Sequence, residues 1–278
     1  MSRHRFFLTE PLSAPSDGPV RMPLSDADVH HALDVLRIVS GEEIVVVEPG
    51  GTTWVASVTD ITGRELTGRL TNQVDDQPTL LDLTLIQGIA KGPTMDSIVQ
   101  HAVEIGVARI VPVITERTVV RLDPARTVSR TTRWQRIAEG AARQSQRSRI
   151  PQVDAPVSLA EVPAMLAGFG AVLVLWEESG GPGVVEALRA GVRVSGGVSF
   201  GEAPSDADVP RVAVIVGPEG GFSPAEVAML VDAGAVECTL GAAILRAETA
   251  SLAALTLTAY ALGGMGASAR DLDHGVAR

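Results

Sequence analysis

The chain has 278 residues, of which 45% are hydrophobic and 20% are charged, so it can bury a sizeable core in one large domain or two unequal ones. Its single cysteine, Cys238, excludes an internal disulfide and a cysteine-based zinc cluster, and we expect no bound metal. The formal net charge of -10 argues, taken alone, against a nucleic-acid partner, because phosphate binding draws on positive charge.

Two apolar stretches could be mistaken for targeting or membrane segments. Residues 6–8 are the apolar part of a basic N-terminus, and they are too few for a signal peptide. Residues 250–267 approach the length of a membrane span, but serine, threonine and glycine residues interrupt them. We therefore expect a cytoplasmic protein that does not enter the membrane.

The first 72 residues predict a small β-barrel that contains one helix. Short β-branched runs end at turn residues such as Pro49 and Gly63, which is typical of a compact all-β unit. The predicted strands are residues 5–8, 43–47, 53–59 and 65–70. Ser25 is the expected helix cap. The expected buried stripe of that helix consists of Val29, Ala32, Leu33 and Leu36.

Residues 73–79 are polar, contain a proline and lack periodicity, so they predict a linker. In residues 80–270 strands alternate with helical patterns, which indicates an α/β domain with a mainly parallel sheet; residues 271–278 form a tail. The predicted strands are residues 80–87, 109–114, 171–176, 211–216 and 236–240. Residues 195–210 are rich in glycine, proline and acids and predict a surface insertion.

An arginine-rich window changes the inference from net charge. Residues 117–149 contain nine arginines and only two acids, Asp123 and Glu139. The pattern predicts a helix over residues 131–148, on which four arginines fall within about 80° of one another. These are Arg133, Arg136, Arg143 and Arg147. Arginine binds phosphate through a planar fork, so this face fits RNA, although a solvated helix face would show the same pattern.

The first of two adjacent loops in the C-terminal third predicts a ligand site. In RVAVIVGPEGGFSPAE, residues 211–226, a buried strand leads into a glycine-rich turn, and a helix begins at Ser223. Pro224 suits the first helical position and Glu226 completes a capping box. Three glycines allow positive φ and bring bare backbone to a ligand: Gly217, Gly220 and Gly221.

The second loop follows one unit later, with Gly241 after a short strand and a long apolar helix from about Thr249. No G-x-G-x-x-G follows any strand, which argues against an ordinary dinucleotide-binding fold. Two alternatives remain open at this point. The Gly217 turn could be an ordinary strand-to-helix connection, or it could bind a phosphorylated metabolite at a helix N-terminus.

Several motifs together resemble one family. GPEGGFSPAEV and LGAAILRAETASL resemble the C-terminal signature of RsmE-type methyltransferases of the SPOUT superfamily. Three further stretches agree in order and spacing: HHALDVLR, IQGIAKGPTMDSIVQHAVEIGVARIVPVITERTVV and RWQRIAEGAARQSQRSRIPQV. The resemblance implies a SPOUT-type parallel sheet with a C-terminal trefoil knot and an N-terminal PUA-like RNA-binding barrel. It also implies a homodimer that methylates uridine N3 in small-subunit ribosomal RNA, in the assembled or assembling 30S subunit.

The resemblance implies S-adenosylmethionine as cofactor and a set of binding residues. These are Leu173, Leu175, Gly217, Pro218, Glu219, Gly220, Leu240, Gly241, Ile244, Leu245, Thr249 and Ala250. Arg246 is the candidate to stabilise charge on the uracil carbonyls, and Glu219 or Glu248 could accept the N3 proton. Alternatively, Arg246 and Glu248 form a structural ion pair and Glu219 caps a helix.

The expected RNA contacts are basic residues and one histidine. They are Arg5, His31, Arg37, Lys91, Arg117, Arg133, Arg136, Arg143, Arg147 and Arg149. The chain departs from the family pattern at Ala242 and Ala243, where a Pro-Arg pair is usual, and at Thr94 and His101, where a basic residue is common. These departures leave open a non-catalytic RNA-binding or ribosome-assembly protein that retains the donor fold.

Overall fold

A computed structural model of the chain describes residues 3–12, 18–74, 81–118, 123–191, 209 and 211–265. The chain forms two compact units. The first combines Met1–Gln77 with Ala142–Ile150, and the second combines Pro78–Ala141 with Pro151–Arg278. The sequence did not indicate that a short segment from the middle of the chain groups with the N-terminal strands.

The N-terminal unit is a curled five-stranded sheet. Its strands are β1 (Arg5–Phe7), β2 (Val20–Met22), β3 (Glu43–Val47), β4 (Thr53–Thr62) and β5 (Glu65–Val74). They pair in the order β1-β3-β4-β5-β2, and a bridge between Leu8 and Leu24 joins the two edges into a small barrel. The predicted strands are confirmed, although β4 and β5 run further than expected and β2 was not predicted.

The predicted helix of this unit is also confirmed. Ser25 Oγ accepts a hydrogen bond from the Asp28 backbone N–H at 3.1 Å and caps α1 (Asp26–His30), which continues as a π-helical turn (His31–Val35). Three residues of the predicted stripe contribute to the barrel core: Ala32 is fully buried, and Leu33 and Leu36 are partly buried. The fourth, Val29, is also buried.

The arginine-rich helix has different bounds from the predicted ones. It forms α3 (Pro124–Gln144), whereas the sequence predicted residues 131–148. Gln146 has a φ of 59°, and the Arg147 N–H bonds the Ala142 carbonyl at 2.9 Å, which is a common way to end a helix. Arg147 therefore lies beyond the helix, and its predicted place on the charged helical face is wrong.

The C-terminal unit is built on a parallel sheet. Its strands are β6 (Asp82–Gly88), β7 (Arg109–Ile114), β8 (Gln152–Val153), β9 (Val157–Ser158), β10 (Ala171–Leu175), β11 (Arg211–Val216) and β12 (Val236–Cys238). They pair in the order β12-β10-β11-β6-β7-β8, with β9 on β7, and every pairing is parallel. The five predicted strands are confirmed, whereas the two-residue strands β8 and β9 were not predicted.

Helices connect these strands. They are α2 (Pro93–Ile105), α3, α4 (Val162–Met165), α5 (Val184–Gly191), α6 (Pro224–Asp232) and α7 (Ala247–Ala261). The long apolar helix expected from about Thr249 is α7, and it packs on α2, α5, β6 and β11. The sheet is buried because its strands are continuous apolar runs, as expected for parallel strands covered on both faces.

Some predictions fall outside the described residues. The linker 73–79 is described only through Val74, where β5 ends, and of the insertion 195–210 only residue 209 is described. The tail 271–278 is likewise outside. In the part of the chain that the structure describes, none of the helices has the length and apolarity needed to cross a membrane.

Candidate cofactor and catalytic site

The first loop of the site begins where β11 ends. Ser223 and Glu226 form the predicted capping box at the start of α6, since Glu226 Oε2 accepts from the Ser223 N–H at 2.8 Å. Gly221 has a φ of 66°, a conformation that favours glycine, and its N–H bonds the Pro218 carbonyl at 2.9 Å. The loop also passes directly over β6, because a Cβ at Gly88 would collide with Pro218.

The second loop connects β12 to α7. Gly241 has a φ of 103°, and its N–H bonds Thr239 Oγ1 at 3.1 Å. Arg246 is the N-cap residue of α7. Because β10 pairs with both β11 and β12 in parallel, the loops after all three strands leave the same edge of the sheet. The sequence therefore brings three loops together at the carboxyl ends of adjacent strands, where α/β sheets commonly bind ligands.

A cavity of about 800 Å³ lies between these loops. Its wall consists of Thr94, Leu175, Trp176, Glu177, Ser179, Val216, Gly217, Pro218, Glu219, Gly221, Thr239, Leu240, Gly241, Ala242, Ala243, Ile244, Leu245, Arg246, Ala247, Glu248 and Ala250. All of these residues belong to the C-terminal unit. The volume suits a ligand of nucleoside size.

Most of the predicted cofactor and catalytic residues line this cavity. They are Leu175, Gly217, Pro218, Glu219, Leu240, Gly241, Ile244, Leu245, Arg246, Glu248 and Ala250. Three predicted residues are not in its wall. Leu173 is buried in β10, Gly220 lies against Arg117, and Thr249 is an exposed residue of α7.

The loop after β10 supplies wall residues that sequence reasoning missed: Trp176, Glu177 and Ser179. Trp176 was predicted as the last residue of the strand 171–176, and no local signal indicated that the loop after this strand joins the site, because strand order decides that. Glu177 approaches the first loop closely, since a Cβ at Gly221 would collide with its carboxylate. Thr94, at the start of α2, also lines the cavity.

The cavity wall is acidic. It contains the carboxylates Glu177, Glu219 and Glu248 against one guanidinium, Arg246. Arg246 has no ion-pair partner within 4.0 Å among the described residues, so the alternative of an Arg246–Glu248 ion pair is wrong for this structure. Glu219 Oε1 accepts a hydrogen bond from the Lys91 N–H at 2.8 Å. Lys91 precedes Gly92, the N-cap residue of α2, so this bond lies outside the helix and the helix-capping alternative stays a prediction.

The only cysteine of the chain is a core residue. Cys238 is fully buried in β12. Burial, together with the negative charge of Glu237, raises the pKa of the Cys238 thiol to about 12. The thiol is therefore protonated at neutral pH and cannot act as a nucleophile there.

Some of the expected RNA contacts of the N-terminal unit are bonded to other protein groups, and others are exposed to solvent. Arg143 pairs with the buried Asp28 at 2.9 Å. Arg5 Nη1 donates to the Arg147 carbonyl at 3.1 Å, and burial lowers the pKa of Arg147. Three others are exposed: His31, Arg37 and Arg149. Arg143 and Arg147 therefore contribute to holding the segment 142–150 on the barrel.

The expected RNA contacts of the C-terminal unit are mostly exposed. Arg133 pairs with Asp96 at 2.5 Å, and Arg117 Nη1 donates to the Gly220 carbonyl at 3.0 Å. Lys91 and Arg136 are exposed. Arg117 thus contacts the first cofactor loop, a role that the sequence did not indicate.

Comparison of the chain with known proteins identifies its family. Residues 77–259 match an RNA methyltransferase domain, and residues 24–71 match an RNA methyltransferase PUA domain. A ribosomal RNA small subunit methyltransferase E from Mycobacterium bovis is 32% identical over 250 residues, which are 88% of this chain and 88% of that protein. This chain belongs to the ribosomal RNA small subunit methyltransferase E family. The resemblance seen in the loop sequences is thereby confirmed.

Other members of the family support the same assignment. The Bacillus subtilis methyltransferase E is 29% identical over 240 residues, covering 85% of this chain and 89% of that protein. The crystal structure of methyltransferase E from Neisseria gonorrhoeae, bound to S-adenosyl methionine, is 31% identical with a TM-score of 0.76. That similarity covers 93% of this chain and 97% of the other.

Proposed function

We propose that this protein transfers a methyl group from S-adenosylmethionine to N3 of a uridine in small-subunit ribosomal RNA. The observation that carries the proposal is the cavity between three loops at one sheet edge, in a chain that belongs to an RNA methyltransferase family. Two similar solved proteins, 31% and 26% identical to this chain, bind S-adenosylmethionine. The choice of uridine N3 rests on the resemblance of the loop sequences to the RsmE type.

The residues around the cavity fit this donor in size and in charge. Three carboxylates against one guanidinium give a wall that attracts a sulfonium cation. Trp176 adds an aromatic side chain to the wall. Gly217 and Gly241 line the wall without side chains, which allows a flat, neutral adenine to approach the backbone closely.

The protein's own contribution to the reaction is proton removal and charge stabilisation. When bound, S-adenosylmethionine supplies a methyl group on a positively charged sulfur. Uridine N3 must lose its proton before or during attack, and Glu219 or Glu248 accepts it in our proposal. The Arg246 guanidinium stabilises the negative charge that moves onto a uracil carbonyl oxygen. Its lack of an ion-pair partner among the described residues supports this role.

The phosphorylated-metabolite alternative is disfavoured by the first turn of α6. The Ser223–Glu226 capping box already bonds the backbone amides of Ser223 and Glu226. Glu226 also places a carboxylate at this end of the helix, where it accepts from the Glu116 N–H at 2.7 Å. A phosphate would meet negative charge instead of free N–H groups.

Finer features implied by the resemblance belong to the same proposal. They are a trefoil knot around the two C-terminal loops, a homodimer, action on the assembled or assembling 30S subunit, and a cytoplasmic location. The exposed apolar side chains of Leu257 and Tyr260 on α7 support a dimer interface there. The exposed cations Lys91, Arg37 and Arg136 support contacts with RNA phosphates.

The test is transfer of labelled methyl from S-adenosylmethionine to small ribosomal subunits from cells that lack this protein, with nucleosides identified by mass spectrometry. Wild-type protein should place label in 3-methyluridine. Arg246→Ala should lower the rate at saturating donor and RNA about 100-fold, as expected for loss of a charge-stabilising donor. Arg246→Lys keeps the charge and should lose less, while Glu219→Gln and Glu248→Gln identify the proton acceptor.

The possible results of this experiment distinguish between the proposed function and its alternatives. Donor binding without transfer to any RNA would favour the non-catalytic RNA-binding alternative. Label in a different nucleoside would overturn the uridine-N3 assignment alone. If Arg246→Ala transfers methyl at the wild-type rate, Arg246 has no catalytic role.

A further inference from the structure

A buried amide at the end of β6 connects the first loop of the cavity to α7, the helix that follows the second loop. Gln87 is 0% exposed, and its side chain does not line the cavity. Its Nε2 donates to the Gly217 carbonyl at 3.1 Å and to the Gly88 carbonyl at 2.9 Å. Its Oε1 accepts from Ser251 Oγ at 2.6 Å. Every polar atom of this side chain is therefore hydrogen-bonded.

The partners of Gln87 fix which way its amide points. Carbonyl oxygens can only accept, so the two carbonyls require the NH₂ group on their side. The reverse orientation would place Oε1 against both of them. Ser251 Oγ also lies 2.8 Å from the Ala247 carbonyl, but a hydroxyl has one hydrogen to donate. Gln87 Oε1 has no other donor among the described residues, so we assign that hydrogen to it.

The bond to the first loop satisfies the only conventional hydrogen-bonding group of the Gly217–Pro218 peptide. The nitrogen of the Gly217–Pro218 peptide carries no hydrogen, because it belongs to a proline. The Gly217 carbonyl must therefore make any hydrogen bond that this peptide forms. Both residues are buried, and a buried carbonyl without a donor is costly. Gln87 supplies that donor and holds the peptide plane that forms part of the cavity wall.

The bond to Ser251 extends the same constraint to the second loop. Ser251 lies one turn beyond Ala247 on α7, and the first turn of α7 lines the cavity through Ala247, Glu248 and Ala250. Ser251 is 2% exposed, so its hydroxyl is shielded from bulk solvent. One amide thus bonds both the Gly217 turn and the helix that follows the second loop.

We propose that Gln87 is a positioning residue for donor binding, which sets the relative placement of the two loops without touching the donor. The inference rests on the proposed function only for the identity of the donor. Loss of the amide leaves the Gly217 carbonyl without this donor and removes the hydrogen bond between Gln87 of β6 and Ser251 of α7. The ligand then has to order the cavity walls when it binds. The free-energy cost of that ordering weakens the affinity for the ligand.

The test is calorimetric binding of S-adenosylmethionine to the full chain, far below the unfolding temperature and without RNA. Gln87→Leu has a similar size but no hydrogen-bonding group, and it should bind the donor about tenfold more weakly. Ser251→Ala should bind it about threefold more weakly, because it removes only one of the bonds. The double variant should bind no more weakly than Gln87→Leu, since both changes break one network.

Thr258→Val is the matched control. Thr258 is on the same helix and 0% exposed, but its Oγ1 has no hydrogen-bond partner among the described residues and it does not line the cavity. Its donor affinity should equal that of wild type. If Gln87→Leu lowers only the unfolding temperature and keeps the wild-type affinity, Gln87 is structural and the proposal is wrong.

Three further outcomes are decisive. If Gln87→Leu does not fold, unchanged affinity of Ser251→Ala would overturn the proposal by itself. If wild type binds no S-adenosylmethionine, the proposed function fails, and with it the donor that Gln87 is inferred to serve. If wild type binds the donor and the variants bind it with the same affinity, only the positioning role of Gln87 is wrong.

Discussion

The two loops that enclose the cavity differ in how firmly the fold holds them. In the first, the Gly217 carbonyl is held by Gln87 and the Gly220 carbonyl by Arg117. In the second, residues 241–244 are exposed, and Ile244 exposes 87% of its surface. A well-bonded loop is a preformed wall, whereas a loop with few contacts opens at low free-energy cost. We therefore expect the donor to meet one rigid side and one side that adjusts to it.

The largest expected effect comes from adding a methyl group beneath the rigid loop. Gly88→Ala pushes a Cβ into Pro218, where backbone must move, so it should destabilise the protein by about 3 kcal/mol and abolish donor binding. Gly241→Ala meets no atom within 4 Å and should cost only about 1–2 kcal/mol of backbone strain. Denaturant unfolding and donor calorimetry measure both effects. Equal losses for the two variants would contradict the difference between the loops.

A smaller effect on donor affinity is expected when the carboxylate charge of the loop after β10 is removed. Glu177→Gln should weaken S-adenosylmethionine binding about threefold, because a partly exposed charge pair is worth less than 1 kcal/mol. Binding of the neutral product S-adenosylhomocysteine should not change. Glu178→Gln is the matched control, since Glu178 is adjacent and exposed but not in the cavity wall. Equal weakening for donor and product would show that Glu177 does not sense the sulfonium charge.

The smallest effect should come from stiffening the exposed loop. Replacing Ala242 and Ala243 by Pro and Arg introduces the pair that the family resemblance implies at these positions. Proline reduces the freedom of the unbound loop, so donor affinity should rise about twofold. Calorimetry at low and high salt separates this gain from any effect of the added charge. A loss of affinity would mean that this loop needs its freedom to bind.

Local sequence signals predicted the rigid loop well. Ser223, Pro224 and Glu226 specified the start of α6, and the capping box is present. Strand bounds such as Arg109–Ile114 and Arg211–Val216 were predicted to the residue, because buried parallel strands are short apolar runs between breakers. The family motif also named most of the cavity wall in advance.

Signals that depend on distant partners were missed or misjudged. The arginine spacing suggested a continuous helical face, yet Gln146 ends α3 before Arg147, and Arg143 pairs with Asp28. Periodicity cannot reveal a buried carboxylate more than a hundred positions earlier in the chain. Glu177 was missed for a similar reason, because only the order of strands in the sheet brings it to Gly221.

The sequence by itself determined most of the longer strands and helices, the two glycine-containing loops and the family, because capping, hydrophobic periodicity and motif order are local properties. Only the tertiary structure decided which groups meet. It brought Gln87, Gly217 and Ser251 into one buried hydrogen-bond network and left Arg246 without an ion-pair partner among the described residues. Such pairings depend on strand order and burial, and burial makes each unmet polar group costly enough to require a partner.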